Sequence, residues 1–202
     1  MIIVLVNQLE WKSFFGKINV MFNLDTLTIS DKINLLESIE RKKRNFKEPT
    51  DFKDFIIDCK LYLNPQSYGT KIQNRWKTIN KYLTVSAYLN RGDYKDDKEY
   101  VEFKVSYLSS DNKWSLLQLR PYQKLDRYDV MLIDGKFNYT LYKIPKDKMK
   151  SMILKYASAA HGTKDSNLLN ENIEYRMDVK YDMLYEIESF ISDTTIKINK
   201  FF

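Results

Sequence analysis

The sequence predicts an α+β fold, with α/β as its nearest variant, in one domain. Three observations predict it. Amphipathic helical spacing fills residues 30–83, the two-residue alternation of strands takes over at 84–144, and helical spacing returns after Pro145. The order is helices, a mostly antiparallel sheet, then helices.

Each element has its own signal. In "SDKINLLESIERKKRN", 30–45, Ser30 or Asp31 would cap a helix and its bases crowd the C-terminal end, where the dipole favours cations. Residues 50–63 read as a second helix, capped by Thr50, with Phe52, Phe55, Ile56, Cys59 and Leu63 on one face; Pro65 separates it from the next element. A third helix, 67–83, would turn Ile72, Trp76 and Ile79 inward. Strands are expected at 84–89, 92–95, 99–108, 114–120, 128–134 and 137–144. "IDGKF" reads as a hairpin turn in which Asp-Gly supplies positive φ angles. Residues 145–157 form a helix with Met149, Met152, Ile153 and Tyr156 as its stripe, 158–175 a polar loop, and "IEYRMDVK" and "YDMLYEIESFISD" a last strand and helix. Residues 1–24 stay open between strand and short helix. Residues 1–64 read as an N-terminal helical region packed on a core of 65–202.

Composition narrows the chemistry. The 202 residues are 44% hydrophobic, enough to bury a core. A net charge of +6 suits a polyanionic partner without requiring one. Cys59 and His161 are the only residues of their types, so an internal disulfide and a Cys/His zinc site are excluded within one chain. Any metal would be a hard cation on carboxylates. The opening "MIIVLVNQLEWKSFF" lacks a basic region and a full apolar stretch, so no signal peptide is expected. No apolar run is long enough to span a membrane. The expected location is cytoplasmic.

The stretch "GDYKDDKEYVEFKVS", 92–106, carries the chemistry. A two-residue turn at Asp97–Lys98 would set Asp93 opposite Glu102, on one face, with Cβ atoms roughly 4.5–5.5 Å apart. Alternation adds Lys104 to that face and sends Val101, Phe103 and Val105 to the other. Two carboxylates so close repel unless a cation lies between them, and Mg²⁺ takes one or two carboxylates and keeps several waters. Lys104 would orient or deprotonate the attacking water in phosphodiester hydrolysis. The alternative is a solvated hairpin face with a cross-strand ion pair.

Asp93 followed by Glu102-x-Lys104 on the next strand resembles the signature of the PD-(D/E)xK nuclease superfamily. "SYGTKIQNRW" resembles the helix preceding the site in many type II restriction endonucleases. "LLQLRPYQKLDRYDVMLID", 116–134, and "AAHGTKDSNLLNENIEYRM" resemble further segments of that group, so the resemblance spans residues 67–177. It implies a restriction-endonuclease-like mixed β-sheet core flanked by helices, and a Mg²⁺-dependent DNA endonuclease, with Mn²⁺ as a substitute. Asp93, Glu102 and the Phe103 carbonyl would hold the metal, with Lys104 beside the water. The sequence departs from the pattern at Gly92, where the family often has Pro, and at Gln73, where the helix often supplies an acid to the metal shell. Double-stranded DNA would be the substrate, and a homodimer would cut both strands of a palindrome.

Further residues are candidates for DNA contact: Lys71 and Arg75 on their helix; Gln118 and Arg120, placed by alternation on one face; Lys124; and His161, Lys164, Asn167, Asn170 and Asn172 in the polar loop. Arg127 is a candidate phosphate ligand on the same ground. Surface charge and loop structure are the alternatives for all of them. Three functions compete: the nuclease, a DNA-binding protein on an inactive nuclease fold, and an interaction protein whose hairpin charges are only surface.

Overall fold

The computed structural model describes residues 26–80, 91–160 and 173–190. The chain divides into two compact units, Met1–Tyr68 and Gly69–Phe202. The secondary structure is α+β. Expectations for residues 1–24 and 84–89, and for most of the 158–175 loop, fall outside the described residues.

In the first unit, α1 (Ile29–Arg44) begins at Thr28. The Thr28 hydroxyl accepts from the Asp31 N–H while the Asp31 carboxylate accepts from the Thr28 N–H, a reciprocal cap that starts the helix earlier than Ser30 would. Helix α2 (Phe52–Tyr62) is capped by Asp51 rather than Thr50 and buries Phe55, Ile56, Cys59 and Tyr62. Ile39 and Tyr62 pack with Leu27, Leu35, Phe46 and Leu61. Helix α3 (Pro65–Asn80), most of which belongs to the second unit, starts at the proline itself. Proline suits a first helical turn because its missing N–H would be unpaired there, and the Asn64 side chain accepts from the Ser67 N–H at 2.8 Å. Ile79 is 39% exposed, so only Ile72 and Trp76 turn inward.

The second unit is built on two sheets. The first has the order β1 (Tyr94–Asp96), β2 (Glu99–Tyr107), β4 (Arg127–Ile133), β5 (Tyr139–Pro145). The pairs β1–β2 and β4–β5 are antiparallel, in keeping with the mostly antiparallel expectation, and β2–β4 is parallel. Parallel neighbours need a crossover. Here the crossover contains β3 (Lys113–Leu119), which leaves for a second sheet of order β3, β7 (Tyr175–Lys180), β6 (Ser158–Ala159). The pair Ser158–Ala159 is thus a short strand inside the expected loop. One face of the first sheet packs with the second sheet, α4 (Lys146–Tyr156) and α5 (Tyr181–Phe190) around Tyr128, Val130, Leu132, Ile144, Met149, Met177 and Ile187. On the other face, Trp76 of α3 stacks on Phe103 with centroids 6.4 Å apart.

Two turns differ from expectation. Gly135 does not take a positive φ; Phe137 does, at 60°. The turn is set by the Asp134 carboxylate, which accepts from the N–H groups of Lys136 and Asn138. In β3 the register shifts between Leu116 and Leu119, and Gln118 takes a φ of 54°. That bulge breaks the alternation between Leu116 and Leu119, which are both buried although three residues apart. No helix among the described residues is long and apolar enough to cross a membrane.

Candidate active site on the hairpin

The hairpin register is Tyr94↔Val101, Lys95↔Tyr100, Asp96↔Glu99, around the two-residue turn Asp97–Lys98. The ladder ends at Tyr94, so Asp93 is not in regular register with Glu102, but it lies close enough for its charge to act on that residue. Asp93 lies just outside β1. Its N–H donates to the Val101 carbonyl at 2.7 Å, and its Oδ2 accepts from the Phe103 N–H at 2.8 Å. A strand residue points its N–H and C=O to the same edge, so the Phe103 carbonyl leaves from the edge where Asp93 sits.

Gly92 makes this approach possible. Its φ is +78°, and a Cβ there would lie 2.6 Å from the Val101 oxygen. Proline, fixed near −65°, cannot take that backbone. Gly92→Ala is expected to lose about 1–2 kcal/mol from the left-handed backbone alone, and more from the clash. Urea unfolding would measure it, and a variant as stable as the wild type would contradict the reading.

Glu102 is 4% exposed, and its Oε1 accepts from the Lys104 Nζ at 2.7 Å. Burial pushes the Glu102 carboxyl up; the Lys104 ammonium pulls it back, and the Asp93 charge adds to the rise. Arg120 is also close enough for its charge to favour the ionised form. Tyr128 sits directly across from Glu102 on β4, and its hydroxyl is pushed up by burial and then by the Glu102 charge. Two acids and one lysine leave this spot one negative charge in excess.

Arg120 is held by Glu174, Nη2 to Oε1 at 2.6 Å, a partner 54 residues away that no local pattern announces. Gln118, Lys124 and Lys71 are exposed, and Arg75 is half-buried. Gln73 is half-exposed on α3, the helix whose Trp76 stacks on the face opposite the carboxylates. His161, Lys164, Asn167, Asn170 and Asn172 lie outside the described residues.

Arg127 is a correction. It is 8% exposed and engages three acids, Asp96, Glu99 and Asp129, on the sheet face opposite Glu102. Asp129 is fully buried and also accepts from the Tyr94 hydroxyl. A base this enclosed clamps the hairpin and is not available to a phosphate. The visible signal is Arg127-x-Asp129, two opposite charges alternating within an otherwise apolar strand.

No three His, Cys, Asp or Glu side chains among the described residues form a metal cage. A Mg²⁺ ion does not need one: two carboxylates and a carbonyl, completed by waters, are within its habit. The buried, under-compensated Glu102 fits such a cation. Comparison with known families and with characterised proteins returns no match.

Proposed function

We propose that the chain is a Mg²⁺-dependent deoxyribonuclease of the PD-(D/E)xK kind, acting on double-stranded DNA in the manner of a type II restriction endonuclease. The observation that carries it is the triad itself: the Asp93 charge acts on Glu102, and the buried Glu102 holds Lys104 at 2.7 Å. A restriction-endonuclease-like core is supported by the parallel β2–β4 pair, with the acid-bearing hairpin at its edge.

Asp93, Glu102 and the Phe103 carbonyl would hold the ion. When bound, it would offset the charge of the scissile phosphate and make that phosphate easier to attack. Asp93 is oriented for this by the Phe103 N–H. Lys104 places an ammonium beside Glu102, where it would orient the attacking water and steady the charge that develops on the phosphate. A homodimer would bring two such sites to opposite strands.

The test is a plasmid digest with Mg²⁺, beside EDTA and Glu102→Ala. Discrete fragments lost in both controls are expected. A smear lost in both would make the enzyme a nuclease of low specificity. DNA bound but never cut, in Mg²⁺ or Mn²⁺ and on unmethylated DNA, would assign the chain to the inactive binder.

A further inference from the structure

Beside the carboxylates, on the same sheet face, lies a cluster that the triad does not use. Lys95 and Tyr100 are cross-strand partners two residues along from Asp93 and Glu102. Alternate residues of a strand sit roughly 6.4–6.8 Å apart. The Arg91 guanidinium lies 5.3 Å from the Tyr100 ring centroid, and its Nη1 donates to the Tyr100 hydroxyl at 3.1 Å. The Lys95 Nζ lies 5.6 Å from the same centroid. The Tyr100 N–H donates to Asp126 Oδ2 at 2.7 Å.

We propose that Arg91 and Lys95, seated on Tyr100, form a subsite for the DNA phosphate next to the one held at Asp93 and Glu102. The proposal rests on the nuclease reading of that site. Its physical ground is charge: a polyanion approaching the triad meets an excess of negative charge, and two adjacent cations offset it. Cations over an aromatic ring are held in place by the ring's electron-rich face, so they are positioned before the ligand arrives. With its ring occupied by cations, Tyr100 serves as their seat and not as a stacking platform for a base. The contact is therefore to the backbone, which positions DNA without reading its sequence.

The test is binding of labelled single-stranded and duplex oligonucleotides of random sequence, in EDTA, as a function of salt. Removing one phosphate contact lowers the slope of log affinity against log salt by about 0.9 for duplex and about 0.7 for a single strand. Arg91→Gln with Lys95→Gln is expected to lower it by twice that, each single variant by half as much, and Lys95→Arg to restore its share. In Mg²⁺ the double variant should raise KM and leave kcat unchanged, as loss of uniform binding does. A folded double variant with the wild-type slope would overturn the subsite while leaving the nuclease reading intact if the wild type cuts DNA. A wild type that neither binds nor cuts would overturn both. A wild type that binds without cutting, and loses slope in the variants, would sustain the subsite and remove only the catalysis.

Discussion

Magnesium is expected to raise the melting temperature of the wild-type chain and to leave that of Glu102→Gln unchanged. The same substitution should slow cleavage by about 10³-fold or more, which corresponds to roughly 4 kcal/mol of barrier. Glu102 is buried, and its carboxyl is raised by that burial and by Asp93 against the pull of Lys104. A carboxyl raised on folding contributes stability that is fully present below its unfolded value and lost as pH rises through its folded value. In EDTA the wild type should therefore lose stability across that window relative to Glu102→Gln. A cation between the acids favours the ionised form, so the Mg²⁺ effect should grow as pH rises through the same window. At a free Mg²⁺ concentration ten times its dissociation constant the gain is about 1.4 kcal/mol, or a few degrees. Scanning calorimetry with and without Mg²⁺, at several pH values, measures this. An equal shift in both proteins would place the ion elsewhere.

Arg127→Ala is expected to be the most destabilising single change in the second unit, at about 3–5 kcal/mol, because removing one partner of a buried ion pair strands the other. The stranded group is Asp129, fully buried beside Tyr94. Burial weakens the Arg127 charge, but the hydrogen bonds and charges of Asp129 and Asp96 overcome this and hold the guanidinium well above its ordinary value. Asp129→Asn should cost less, since Asp96 and Glu99 still neutralise Arg127. The double variant should cost less than the sum of the two, the mark of a shared network. Urea midpoints at unchanged slope would measure all three. A small effect for Arg127→Ala would mean that water reaches Asp129.

What was legible in the sequence was local. The register of the hairpin follows from its two-residue turn, and alternation alone puts Glu102 and Lys104 on one face and Phe103 on the other. What escaped was non-local. Nothing in the alternation of β2 and β4 says that they are parallel neighbours, because the strand between them in sequence departs to another sheet. Arg127 looks like a surface base because charge inside a strand is usually solvated; only its three acids, brought from β1, β2 and β4, make it a core residue. The bulge at Gln118 carries no Gly to announce it, and Glu174 meets Arg120 across 54 residues of chain.

The hairpin is gripped from one side of the sheet and carries Glu102 and Lys104 on the other. A change that silences the carboxylates therefore leaves the grip untouched. A Glu102→Gln chain, with Arg91, Lys95 and the Arg127 network intact, would hold DNA without releasing fragments. Used as a capture reagent on a pool of random duplexes, it would let the retained molecules spell out the sequence preference of the wild type.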